Sequence, residues 1–86
     1  MKKKFGHMEF IVTKYDGLDG KTKVAYTEDG GDFAVIADQS GINFKGTMKE
    51  PVSTTKELEA FANLIGDMVK EHSLLKPKLS TSFSGH

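Results

Sequence analysis

Histidine, serine, aspartate and glutamate are the residues of this chain whose types could do chemistry, and their spacing decides how much. His7 and His86 lie near the two ends, and His72 falls within an apolar helical stripe, four residues after Met68 and three before Leu75. No second histidine or cysteine stands at ligand spacing from any of them, so a transition-metal site is not expected. A histidine near a helix C-terminus is favoured by the dipole there, which accounts for His72 without a catalytic role. The serines at 40, 53, 73, 80, 82 and 84 fall in a turn, a cap, the end of the helical stripe and the tail, none of them in a nucleophile-elbow context. No glycine cluster leads into a helix as a phosphate-binding loop does. The reading is therefore of no enzyme: no catalytic residues, no metal and no cofactor.

Carboxylates gather at the turns instead: Asp16, Asp19, Glu28, Asp29, Asp32 and Asp38. Calcium needs several oxygens from one loop, and Asp16-Gly17-Leu18-Asp19-Gly20 lacks the alternating ligands and closing glutamate of such a loop. Asp and Gly are also ordinary turn residues, because they tolerate tight backbone conformations and bond to nearby amides. A second use for these turns is as acidic contacts to a basic partner.

The elements that hold these residues follow from periodicity. Short β-branched and aromatic runs over 8–15, 21–28, 33–37 and 42–48 alternate in polarity and are separated by Gly/Asp turns. Short connections make each neighbouring pair an antiparallel hairpin. Thr54 and Glu57 form a capping box. Leu58, Phe61, Ala62, Ile65, Met68, Val69 and Leu75 then recur at helical spacing until Pro77. The expected fold is α+β: a four-stranded antiparallel meander with one C-terminal helix packed on one face. Residues 1–7 read as a flexible basic N-terminus that resembles a cloning remnant at Gly6-His7-Met8, 8–76 as the single domain, and 77–86 as a disordered Ser-rich tail.

The expected core face of the sheet carries Met8, Phe10, Val12, Val24, Tyr26, Phe33, Val35, Ile42, Phe44 and Met48. The opposite face has no lid. Ile11, Tyr15, Lys23, Ile36 and Lys45 mark it as a candidate partner surface, since a semi-apolar uncovered face often serves that purpose.

Composition limits the partners. The 86 residues allow one small domain, whose modest core would gain from homodimerisation. No apolar run approaches the ~18 residues that cross a bilayer, so no membrane is expected. The absence of cysteine suits a reducing cytoplasm. Twelve basic residues, all lysine, balance twelve acidic ones. Without arginine the chain is poorly equipped for base-specific readout.

Two functions are expected. The first is a small protein-binding module, an adaptor or an inhibitor of a larger host enzyme of the kind phages and mobile elements encode, with either the sheet face or the acidic turns as its surface. The second is a single-stranded DNA or RNA binder acting through the open face, where Tyr15 stands among Lys14, Lys21, Lys23 and Lys45. Four strands followed by a helix is similar in element order to the Whirly and transcriptional-coactivator single-strand binders, a topological likeness without a shared motif.

Overall fold

In a computed structural model, five strands and one helix follow in chain order: β1 (Lys2–Phe5), β2 (Met8–Asp16), β3 (Thr22–Glu28), β4 (Ala34–Asp38), β5 (Gly41–Lys45) and α1 (Thr55–Leu75). Residues 1–16 and 21–75 are described; Asp19 and the Ser-rich tail lie outside them. The strands form one antiparallel sheet in sequential order, β1-β2-β3-β4-β5. The α+β meander with a C-terminal helix is thus present, with five strands rather than four.

The added strand comes from the segment expected to lie outside the domain. Lys2–Phe5 pairs with β2, with Lys3 opposite Phe10 and Phe5 opposite Met8. Gly6, at φ +63°, makes the tight turn between them. Three consecutive lysines show no polar–apolar alternation, which hid the strand. The alternation exists in space all the same: Lys3 and Phe5 face the helix, while Lys2 and Lys4 face away.

The core lies between α1 and the inner face of the sheet. Phe10, Val24, Tyr26, Val35, Leu64 and Met68 are fully buried there, with Met8, Val12, Phe33, Ala37 and Ala60 nearly so. The helix starts at the expected box: Thr54 Oγ1 accepts from the Glu57 amide at 3.1 Å, and Glu57 Oε1 accepts from the Thr54 amide at 3.0 Å. The Ser53 amide also donates to Glu57, and these backbone donors hold its carboxyl below the usual glutamate value.

The core expectation needs correction at β5. Val12, Tyr26, Val35 and Phe44 form one inner cross-sheet row, yet Phe44 is 58% exposed at its end. Ile42, in the next inner row beside Ala37, is 37% exposed. The reason is coverage. The helix packs on β3, with β1 and β4 at its flanks, and a five-stranded sheet is wider than one helix. Alternation identified the face of β5 correctly, but a lone helix cannot reach all of it.

Candidate functional site

Among the described residues, polar chemistry gathers in an ion-pair cluster between helix and sheet, on the open outer face, and in a smaller pocket where His7 pairs with Glu50 at 3.0 Å beside Glu28, Asp29 and Lys49. In the cluster, Lys3 of β1 reaches under the helix, and its Nζ donates to Asp67 and to Glu71, each at 2.7 Å. Lys14 of β2 pairs with the other oxygen of Glu71 at 2.9 Å. The hydroxyl of buried Tyr26 donates to Asp67. Burial opposes the charge on Asp67, but the bonds from Lys3 and Tyr26 outweigh it and hold the carboxyl below its ordinary value. Lys14 and Lys3 hold Glu71 low in the same way. The Tyr26 phenol is pushed up, first by burial and then by its acidic partner. His72 lies beside this cluster, its Nε2 3.4 Å from the Thr22 hydroxyl. Every group in the cluster has a partner, and among the described residues no buried side-chain polar atom lacks a hydrogen bond. Such closure suits a clamp between helix and sheet rather than a reactive site.

The outer face is arranged differently. One cross-sheet row reads Lys2, Ile11, Thr27, Ala34, Lys45, and the next reads Thr13, Ala25, Ile36, Asn43. In a third, Tyr15 stands opposite Lys23, whose ammonium lies 5.9 Å from the ring centroid. An open groove of about 680 Å³ runs across this face, with Ala25 and Ile36 in its floor and Tyr15, Lys21, Lys23 and Lys45 around it. Of the five sheet-face residues singled out from sequence, Tyr15, Lys23, Ile36 and Lys45 line this groove, and Ile11 lies one row away. Ala25 and Ala34 are buried although no element among the described residues covers them, because neighbouring strands carry larger side chains around them.

Alternation along the strands assigns four lysines to this face (Lys2, Lys4, Lys23, Lys45) against two carboxylates (Glu9, Asp38). Asp38 is turned into its own hairpin, where it accepts from the amide and hydroxyl of Ser40 at 2.8 and 2.6 Å. Lys2 is paired with Asp29 at the rim, at 3.1 Å.

The acidic turns are not brought together. Asp16 ends β2 at one end of the sheet, while Glu28, Asp29 and Asp32 lie at the other end of β3, about 20 Å away for a seven-residue strand. Glu28 is buried and accepts from the Lys49 amide at 3.0 Å. The Asp32 carboxylate accepts from the Thr47 amide at 3.3 Å. These side chains fasten the segment after β5 to the β3–β4 turn. Asp19 lies outside the described residues. Among the described residues, no group of three His, Asp or Glu is placed to hold a metal ion, and no helix is long and apolar enough to cross a membrane.

No protein-family model matches the chain, and no curated protein and no solved structure matches it.

Proposed function

We propose that the chain is a non-enzymatic binding module whose working surface is the open sheet face, and that its ligand is a single-stranded nucleic acid. The observation that carries this reading is the groove in which Tyr15, Lys21, Lys23 and Lys45 surround a floor of Ala25 and Ile36. Single-strand binders combine a positively charged groove with an aromatic platform for a base. A net charge of zero is no obstacle here, because many of the carboxylates sit on the helix or in the turn at the far end of the sheet. Asp38 lines the groove, with its carboxylate held by Ser40, beside three lysines. Lysine without arginine gives point-charge contacts, so the binding is expected to be insensitive to base sequence. A reducing cytoplasm suits a chain without cysteine.

The protein-binding reading, as adaptor or as inhibitor of a larger enzyme, draws on the same face. The acidic turns support it less, because they are divided between the two ends of the sheet and partly occupied. A partner with an acidic segment would meet the same lysines.

Fluorescence anisotropy with a labelled oligonucleotide tests the proposal. Binding is expected at low salt and should weaken as salt rises. Lys23→Glu with Lys45→Glu should lower affinity more than about tenfold, or ~1.4 kcal/mol. Lys56→Glu with Lys70→Glu, on the helix, should leave it unchanged. No binding at low salt would end the nucleic-acid reading. A host protein then captured by the native chain, and lost with the Lys23/Lys45 pair, would put a protein in the groove instead.

A further inference from the structure

We propose that β5 is the seam of a homodimer, in which two copies pair β5 with β5 antiparallel about a twofold axis at Asn43 and make one continuous sheet. The inference stands apart from the reading of the groove. It begins from the difference between the two edges. The β1 edge carries Lys2, Lys3 and Lys4, and lysine along an edge discourages further pairing. All five residues of β5 are exposed, including Ile42 and Phe44 on the helix side. The chain after β5 does not cover this edge: it turns back at Gly46 toward Asp32 and Glu28.

The sequence of β5 is complementary to itself in one register. Centred on Asn43, an antiparallel pair sets Ile42 opposite the partner's Phe44 and Phe44 opposite the partner's Ile42. Both pairs fall on the helix side, where aromatic–aliphatic neighbours stabilise a ladder. Gly41 then faces the partner's Lys45, so no two lysines stand opposite each other. A shift to a centre at Phe44 sets Asn43 against the partner's Lys45 and Ile42 against the partner's Gly46. A centre at Ile42 sets Phe44 against the partner's Ser40. Only the Asn43 register pairs both exposed apolar side chains and keeps the charges apart.

The axis runs normal to the sheet, so both helices lie on one side and both open faces on the other. Lys45 of each copy then borders the seam, and two basic grooves become one tract. A five-residue edge is short, about 17 Å, and buries less than the roughly 800 Å² per partner of a standard interface. The dimer is therefore weak and dependent on concentration.

Sedimentation equilibrium of the full chain should show a mass rising from 9.4 kDa toward twice that as concentration increases. The chain has no cysteine, so single cysteines report proximity cleanly. Directly opposed antiparallel residues lie about 4.5–5.5 Å apart at Cα, within disulfide reach. Asn43→Cys should therefore cross-link under mild oxidation, and Lys4→Cys on β1 should not. Ile42→Lys, outside the aromatic cluster, should abolish the mass shift while leaving the far-ultraviolet circular dichroism unchanged. A constant monomer mass, or equal cross-linking at 4 and 43, overturns the proposal.

Discussion

At Tyr26 a fully buried phenol donates to Asp67, a carboxylate that also holds Lys3. Hydrogen bonds to charged groups contribute about 1.5–3 kcal/mol each. Tyr26→Phe keeps the ring and removes the donor, and should cost about 2 kcal/mol by urea unfolding. The same cluster fixes the pH window of stability. Asp67 and Glu71 lie below their ordinary 3.8 and 4.5 in the folded chain, so the unfolded chain binds their protons first. Their contribution is complete above those values and is lost as pH falls through the lower folded ones. Lys3 and Tyr26 are raised above 10.5 and 10.0, so their contribution is complete below those values and is lost at higher pH. Thermal unfolding should therefore show a plateau between about pH 5 and 10 and a decline on both sides. Little of this was legible in the sequence. Asp67 lies 41 residues from Tyr26 and 64 from Lys3 and sits off the apolar stripe, where a carboxylate normally meets water.

At the scale of elements, the start of the helix was the most legible part, because a capping box is a local signal. Its buried face was read only in part: Leu58, Ala62 and Val69 of the expected stripe are exposed, while Ala60 and Leu64, left out of it, are buried with Met68 along a four-residue spacing that faces the sheet. Thr54→Ala should cost about 1 kcal/mol and lower the midpoint of thermal unfolding by several degrees. Two glycines should respond in opposite directions. Gly66 sits on the exposed side of the helix, where an added Cβ meets nothing within 4 Å. Gly66→Ala is expected to stabilise by about 1 kcal/mol. Gly46 has φ +78°, and an added Cβ would come 2.4 Å from the Asp32 carbonyl oxygen. Gly46→Ala should destabilise by more than about 1 kcal/mol, read by the same unfolding experiment. The strands were legible wherever apolar residues alternate. Alternation reports which way a side chain points, not whether anything lies above it. That is why Ile42 and Phe44 were placed on the correct face and yet are exposed.

For the whole molecule, zero net charge conceals a division. Asp67 and Glu71 of the helix and Glu28, Asp32 and Asp38 of the turns are bound to partners within the chain, and a lysine excess is left on the open face. Composition sums over both and cannot show it. The four groove residues recovered from sequence were found because a meander with one helix must leave one face bare. The groove itself required the actual register. If about three lysines contact phosphates, the logarithm of affinity should fall with the logarithm of salt with a slope near −2, at about 0.7 per phosphate for a single strand. A slope near zero would remove the phosphate-driven mode.

The clasp of Lys3 on Asp67 and Glu71 joins residues 64 and 68 positions apart, the first strand of the sheet to the helix that follows its last strand. A ribosome delivers these halves in order, so the opening strand must wait, with its lysine unmatched, until α1 has left the exit tunnel. The domain therefore cannot close progressively during synthesis. A nascent chain stalled before residue 67 should remain open to protease at its N-terminal strand, and release of the helix should close both ends together.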